Sequence, residues 1–243
     1  SYKEAVKEFR KIFESSVDLR FRSDVPVGAC LSGGLDSSSI VSISGHLGKE
    51  ITAFSVDNRE KNLSEIQYVN EVVGKYSGLS SVVTFNEAND LDLLDKMFEI
   101  QDEPISGLGV IAQWRVMKLA AENKVTVLLD GQGGDEIFGG YRKFFFFYLK
   151  QLLKKGKLFK ASYEVLAFFK DKEFNLLDKE GIRRYLNRTN VSQYLSEHGS
   201  RLDKSHNISL SGADDFAQKS YEDIFYYSYP QLLRYEDRNS MAF

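Results

Sequence analysis

The residue types best suited to chemistry lie in one short stretch, Ser32-Gly33-Gly34-Leu35-Asp36-Ser37-Ser38. Its glycines let a ligand approach the backbone closely, and its serines supply hydroxyl donors. An aspartate beside phosphates is favourable mainly when a divalent cation lies between them. The stretch therefore predicts a phosphate-binding loop in which Asp36 serves a metal ion.

The segments on either side predict how this loop is held. An apolar run, 25–31, precedes it and a largely apolar segment, 39–43, follows it, which is typical of a buried strand, a tight turn and the start of a helix. The N–H groups and the dipole at a helix start favour an anion. Clusters of serine and glycine are usually ordinary loops, but the strand, the helix and Asp36 favour a ligand loop here.

A second glycine-rich stretch, 130–141, follows the apolar run 125–129 and contains five glycines in twelve residues beside acidic side chains. Ligands of open α/β sheets bind at the carboxyl ends of strands, where both stretches are expected to lie. We therefore expect the two loops to converge, with Asp36 and Asp135 at one magnesium site. The alternative for Asp135 is a charge that complements the dipole of a helix start.

The rest of the chain predicts the elements that position these loops. Helices and strands alternate, which predicts right-handed βαβ units and a parallel sheet flanked by helices. From residue 144 onward the pattern is helical and aromatic, so we expect an α/β core over 1–143 and a helical extension over 144–243. The predicted strands are 25–31, 51–57, 81–85 and 125–129, and the predicted helices include 1–22, one opened by Ser64 and ended by Gly78, 87–100 and 110–122.

The composition of the chain narrows the classes of function that it could have. The chain has 243 residues, 42% of them hydrophobic, which is enough for a sizeable core. A net charge of −3 disfavours a nucleic-acid partner. No run of about 20 apolar residues could span a bilayer, and the aromatic, lysine-rich stretch after 144 is more typical of a core helix than of a membrane-surface helix. We expect a soluble, cytoplasmic protein without a membrane partner.

Three motifs together carry a resemblance to a known family. Ser32–Ser38 resembles the signature of the N-type ATP pyrophosphatases, which split ATP between its α and β phosphates, and the chain has no G-x-x-x-x-G-K-[ST] motif. With Gly131–Tyr141 and Leu232–Met241, the chain resembles the synthetase domain of glutamine-dependent asparagine synthetases, a family that includes β-lactam synthetases. The resemblance covers essentially the whole chain, and its second and third motifs are much narrower than its first.

This resemblance implies an adenine nucleotide alpha hydrolase-like fold, ATP and Mg²⁺ as cofactors, and a two-step reaction. A carboxylate, usually the side chain of aspartate, becomes an acyl-adenylate as pyrophosphate leaves, and ammonia from a separate glutaminase domain then attacks it. The resemblance implies that the ATP phosphates are bound by Ser32, Gly33, Gly34, Ser37 and Ser38, and that Mg²⁺ is bound by Asp36 and Asp135. It implies contacts with the adenine from Cys30, Leu31 and Val56, and a contact with the nucleotide from Gly131. It places Gln132 and Tyr141 beside the acyl-adenylate. A homodimer is compatible with the resemblance.

The sequence departs from the family pattern at Gln132, where well-known asparagine synthetases have a glutamate near the reacting groups. The acceptor is therefore aspartate or another carboxylate, such as a sugar acid or a β-amino acid, and an inactive ATP-binding module is the alternative from another class. The family's glutaminase domain, and a segment beyond Met241 that supplies a lysine, lie outside the sequence. We expect an excised piece that cannot complete amide synthesis alone.

Overall fold

The computed structural model describes residues 1–57, 65–76, 79–85, 93–105, 107, 109–170 and 215–243. The chain divides into two compact units, the first formed by residues 1–134 and 230–243 and the second by residues 135–229. The division expected from the sequence, a core up to 143 and a helical extension from 144, stays a prediction.

The first unit contains a parallel sheet, as the alternating pattern predicts. Its strands are β1 (Val27–Cys30), β2 (Ile51–Asp57), β3 (Leu79–Phe85) and β4 (Val127–Leu129). Within the described residues these four strands lie in the order β3-β2-β1-β4, with all neighbours parallel. The central strand β1 pairs on both sides, since Gly28 lies opposite Thr52 of β2 and Leu128 of β4.

Helices connect and flank these strands. In chain order they are α1 (Tyr2–Arg20), α2 (Leu35–His46), α3 (Ile66–Gly74), α4 (Leu94–Gln101), α5 (Gly109–Glu122), α6 (Gly134–Phe138), α7 (Arg142–Lys154), α8 (Leu158–Lys170), α9 (Phe216–Phe225) and α10 (Ser228–Ser240). None of the helices in the described part of the chain is both long enough and apolar enough to cross a membrane.

The two faces of the sheet are covered by different helices. Ala29, Ile51 and Ala53 of the sheet form a core with Val41 of α2 and Val69 of α3. On the opposite face, Phe54 packs with Val116 and Ala120 of α5. Coverage on both faces explains why the strands read as nearly continuous apolar runs rather than as alternating ones.

The predicted strands are confirmed, with small differences at their ends. β1 begins at Val27 because Pro26 has no N–H to donate to a ladder. β4 begins at Val127 because the N–H of Val125 donates to the carbonyl of Ala120, 3.0 Å away, and so closes the end of α5. β3 begins at Leu79, which pairs with Ile51.

The predicted helices differ from the observed ones more than the predicted strands do. The capping box predicted at Ser64 and the helix end predicted at Gly78 lie outside the described residues, and α3 ends at Gly74. The first part of the helix predicted over 87–100 also lies outside them, and α4 runs from Leu94 to Gln101. The helices predicted over 1–22 and 110–122 are present as α1 and α5.

The second unit is held by aromatic contacts and a buried ion cluster. Phe145 of α7 stacks on Phe168 of α8 with ring centroids 4.4 Å apart, and Phe144 of α7 contacts Phe216 of α9. Asp223 of α9 is only 1% exposed and binds both Lys143 and Lys219. The aromatic stripe after residue 144 is therefore part of a helical core.

Candidate active site

The loop after β1 has a backbone conformation that requires glycine. β1 ends at Cys30, and the N–H of Leu31 still donates to the carbonyl of Phe54, 3.0 Å away. Gly33 has φ of 88°, which lies in the left-handed region that side chains disfavour. The Ser32 and Ser37 hydroxyls lie 3.0 Å apart and the Ser37 Oγ also accepts from the Ser32 N–H, so the turn closes on itself.

The start of α2 offers donors to a ligand. Its N-cap is Gly34, which supplies no side-chain hydrogen bond to the first N–H groups of the helix. The hydroxyl of Ser38 is buried and has no hydrogen-bond partner among the described residues. N–H groups at a helix start, together with a buried hydroxyl that needs a partner, are suited to the oxygens of a phosphate.

The second glycine loop lies directly on the first. A Cβ added at Gly131 would be 2.8 Å from the backbone nitrogen of Ser37, and one added at Gly134 would overlap the carboxylate of Asp36. Gly133, between them, has φ of 95°. The two loops that the sequence places at strand ends are thus in contact, and glycine is required for that contact.

A polar cluster lies beside this second loop at the carboxyl ends of β1 and β4. It contains Cys30, Asp130, Gln132 and, from α10, Glu236. Gln113 of α5 donates from its Nε2 to the Oε1 of Glu236 at 2.9 Å, and the side chain of Gln132 also hydrogen-bonds the Glu236 carboxylate. The N–H of Gln132 donates to the Oδ1 of Asp130 at 3.1 Å, which orders the loop.

Burial and charge perturb the titration of two groups in this cluster. Burial raises the pKa of Glu236 to about 7, and the nearby Asp130 carboxylate acts in the same direction. Burial also raises the pKa of the Cys30 thiol, to which Asp130 and Glu236 add. Glu236 lies in the motif 232–241, but the sequence predicted no role for it. The sequence signal that could have found this residue is its acidic side chain inside the motif 232–241, a motif that composition alone does not explain.

A buried carboxylate also lies in the second unit. Glu136 of α6 accepts through Oε1 from the Tyr141 hydroxyl at 3.0 Å and from the Ser228 hydroxyl at 2.8 Å, while its Oε2 has no partner among the described residues. Ser220 donates to its backbone carbonyl. Burial and the bond to Glu136 raise the pKa of Tyr141, so this hydroxyl stays protonated at neutral pH.

The side chains of the first loop suit a magnesium ion that is bound partly by the protein and partly by the phosphates of a nucleotide. Within the described part of the chain, no three His, Cys, Asp or Glu side chains are grouped as a metal site. Mg²⁺ is commonly bound by one or two carboxylates together with substrate phosphates. Asp36, in the first turn of α2 beside the serine hydroxyls, supplies such a carboxylate. The joint role of Asp36 and Asp135 stays a prediction, as do the adenine contacts of Cys30, Leu31 and Val56.

The fold and the first loop define an α/β protein of the ATP-pyrophosphatase type, with a parallel sheet whose first strand leads through a glycine–serine turn into a helix. The family model described as asparagine synthase matches residues 8–243. The chain therefore belongs to the asparagine synthase family.

Curated relatives agree with this assignment. The chain is 38% identical over 141 residues to a putative glutamine-hydrolyzing asparagine synthetase 2 of Methanocaldococcus jannaschii, covering 57% of this chain and 27% of that protein. It is 38% identical over 138 residues to glutamine-hydrolyzing asparagine synthetase 1 of Bacillus subtilis, covering 56% of this chain and 21% of that protein. The chain thus spans about a fifth to a quarter of the length of these relatives.

Proposed function

We propose that this chain carries the synthetase chemistry of an ATP-dependent, amide-forming ligase. In the first half-reaction a carboxylate oxygen attacks the α phosphate of ATP, which gives an acyl-adenylate and releases pyrophosphate. In the second half-reaction ammonia attacks the acyl carbon and AMP leaves. Aspartate is the proposed acceptor and asparagine the product, in line with the names of the relatives, which also point to glutamine as the nitrogen source.

The contact between the second glycine loop and the phosphate loop supports this proposal more strongly than any other observation. Gly131 lies against the backbone of Ser37, and Gly134 lies against Asp36. Two glycine loops in contact at strand ends provide backbone N–H groups for a polyphosphate from two directions. An ordinary surface turn needs no such close approach.

The proposed roles are those that the family resemblance implies, and the contact between the two loops supports them. Residues 32–34, Ser37 and Ser38 would hold the phosphates, and the buried Ser38 hydroxyl would find its partner there. Backbone atoms of Cys30, Leu31 and Val56, at the ends of β1 and β2, would contact the adenine, and Gly131 would lie against the nucleotide.

Asp36 and Asp135 are the proposed ligands of Mg²⁺. When bound, the ion would neutralise charge on the pyrophosphate as it leaves. Gln132 and Tyr141 would border the acyl group, with the Tyr141 hydroxyl oriented by Glu136 within the second unit. Because the protonated Tyr141 hydroxyl donates its one hydrogen to Glu136, its oxygen would act there as a hydrogen-bond acceptor.

Exchange of labelled pyrophosphate into ATP tests the first half-reaction by itself. The full protein is assayed with Mg²⁺ and a panel of carboxylates that contains aspartate, glutamate, a β-amino acid and a sugar acid. Exchange that depends on aspartate supports the proposal, and exchange that depends on another panel member reassigns the acceptor. No exchange with any carboxylate contradicts ligase activity and favours an ATP-binding module without catalysis.

A pair of aspartate variants tests the site within the same assay. Asp36→Asn should lower exchange by roughly 10²–10³-fold, the range seen when one group that stabilises developing charge is removed. Asp18→Asn is the control, because Asp18 is an exposed residue of α1 that pairs with Lys49 at 2.7 Å. Equal exchange by the two variants would contradict the role of Asp36.

A further inference from the structure

The hairpin of α7 and α8 carries apolar side chains on two sides, and only one side belongs to the helical core. Phe145 of α7 and Phe168 of α8 stack on each other between the two helices. On α8 itself, Phe159, Tyr163 and Leu166 are 95%, 70% and 69% exposed. At about 100° per residue these three side chains lie on one face of the helix, opposite Phe168. They form an exposed apolar stripe, which we call the α8 stripe.

The same hairpin is strongly basic in an acidic chain. The segment from Arg142 to Lys170 has eight basic residues and a single acidic one, Glu164, while the net charge of the whole chain is −3. Three exposed lysines, which we call the lysine cluster, lie in the turn before α8 and in its first turn. They are Lys155, Lys157 and Lys160. The α8 stripe is therefore bordered by positive charge at its N-terminal end.

The stability of α8 does not account for this arrangement. Positive charges oppose the helix dipole when they stand at the start of a helix. Lys157 immediately precedes Leu158, the first residue of α8, and Lys160 lies in the first turn. An exposed Phe159 likewise gains none of the stabilisation that burial gives to an apolar side chain. Contiguous exposed apolar side chains with a polar rim are typical of interaction sites, so the stripe and the cluster together indicate a partner.

The chemistry of the two features distinguishes between the classes of partner. In a twofold dimer a surface meets itself, so a second copy would place one lysine cluster against the other. Protein interfaces are enriched in arginine and depleted in lysine, whereas residues 150–170 contain six lysines and no arginine. Nucleic-acid bases stack on aromatic rings, which leaves the exposed aliphatic side chains of Leu158 and Leu166 without a role.

A lipid surface with negative headgroups satisfies both features. Helices that lie at such a surface combine lysines with phenylalanine and leucine side chains on the face that enters the lipid. Lysine side chains extend their ammonium groups to the headgroups along an apolar stem. A tyrosine ring at this boundary keeps its body among apolar groups and its hydroxyl in water, which suits Tyr163.

We propose that α8 is a docking surface for an anionic lipid membrane. The α8 stripe would enter the boundary between headgroups and acyl chains, and the lysine cluster would meet the negative headgroups. With 13 residues, α8 would lie along the membrane surface and would not cross it. The sequence favours a core helix and no membrane partner for this stretch, and the exposure of the stripe is the reason to depart from that expectation.

Co-sedimentation of the full protein with lipid vesicles tests this docking. Vesicles of phosphatidylserine and phosphatidylcholine in a ratio of about 1:2 should retain the protein at low salt, and vesicles of phosphatidylcholine alone should retain much less. High salt should weaken the retention, because salt screens the charges at a surface.

Removal of positive charge should weaken this binding. Each lysine near an anionic surface strengthens binding by roughly five-fold, so loss of the lysine cluster should weaken it by roughly 10²-fold. The variant carries Lys155→Gln, Lys157→Gln and Lys160→Gln. The matched control carries Lys3→Gln, Lys7→Gln and Lys11→Gln. These lysines are also exposed but belong to α1, where glutamates accompany the basic residues, so the control should bind like the unaltered protein.

Loss of an apolar side chain tests the α8 stripe separately. Phe159→Ser should weaken binding by roughly 10–10²-fold, the usual worth of burying such a side chain. Phe225→Ser is its control, because Phe225 is 58% exposed on a different helix, α9. In Phe159→Trp, the emission of the introduced tryptophan should move to shorter wavelength when anionic vesicles are added. Trp114 is only 4% exposed and should give a constant background.

Several results would overturn the assignment. Absence of retention by phosphatidylserine vesicles at low salt would exclude a membrane partner. Equal weakening by the α1 control would exclude α8 as the docking surface, and retention without a shift in the emission of the introduced tryptophan would exclude entry of the stripe into lipid. Binding to polyglutamate or to a single-stranded oligonucleotide, with none to vesicles, would replace the membrane by an acidic macromolecule. The circular dichroism of all the variants should be unaltered, since every changed side chain is exposed.

Discussion

The buried amide of Asn239 gives a sharp prediction about stability. It joins three elements, because its Oδ1 accepts from Gln101 of α4 at 2.9 Å and its Nδ2 donates to Gln113 and to the Val110 carbonyl of α5 at 3.0 Å each. Asn239 and Gln101 are both 0% exposed, so water cannot replace these bonds while the fold is intact. Asn239→Ala therefore removes one partner from the buried Gln101 amide, which keeps only a 3.4 Å bond to the Tyr235 carbonyl, and one from the partly buried Gln113 amide.

The size of the effect follows from those groups. The Gln101 Nε2 and the Gln113 Oε1 each lose a partner, and a buried polar group left unsatisfied costs about 1–3 kcal/mol. Val110 is less affected, since its carbonyl lies inside α5 and also accepts within the helix. The expected loss is about 2–5 kcal/mol of the free energy of unfolding, a large part of the roughly 5–15 kcal/mol that stabilises a domain.

The single tryptophan, Trp114, reports on this region. It lies in α5 next to Gln113, and its ring centroid is 5.2 Å from that of Phe243, which follows α10. Urea unfolding followed by its fluorescence should show an earlier midpoint in Asn239→Ala. The control is Ser240→Ala, whose exposed hydroxyl donates to the carbonyl of Asp237 in the same helix. A loss in Asn239→Ala no larger than in that control would refute the reasoning.

Two further predictions concern charge. Asp223→Ala leaves the ammonium groups of Lys143 and Lys219 without their buried partner and should cost about 3–5 kcal/mol. Hydrogen exchange in α7 and α9 measures the loss, and adding Lys219→Met should recover part of it. Glu236 has its pKa raised from 4.5 to about 7 in the fold, so its stabilising contribution is complete below about 4.5 and is lost as the pH rises through 7. Urea midpoints at pH 5 and pH 8 should therefore lie closer together in Glu236→Gln, and an unchanged gap would contradict the raised pKa.

The sheet and its first loop were predictable because both are local patterns. Apolar runs of strand length alternate with helical periodicity, and the run of serines and glycines between residues 32 and 38 stands at a strand end. Contact between the two loops also followed, since the carboxyl ends of parallel strands meet at one edge of the sheet. What remained uncertain were the strand ends, which depend on single hydrogen bonds such as that of Val125.

The polar network around α10 was not predictable in the same way. Gln101, Gln113 and Asn239 carry no periodicity that marks them as partners, and more than a hundred residues separate the first two from the third. Glu236 likewise reaches Gln132 only through the tertiary fold. Such pairings come from packing between distant elements, and a single sequence contains no local signal for them.

The first unit is discontinuous in sequence, which has a consequence for synthesis on the ribosome. Residues 230–243 belong to the same compact unit as residues 1–134, and the whole of 135–229 is made between them. Nascent chains grow at about 5–20 residues per second. More than a hundred residues separate Gln101 from Asn239, so the Gln101 amide remains without this partner for several seconds after it has been synthesised. Loop closure over such a separation also predicts slow folding of this unit compared with the helices of 135–229.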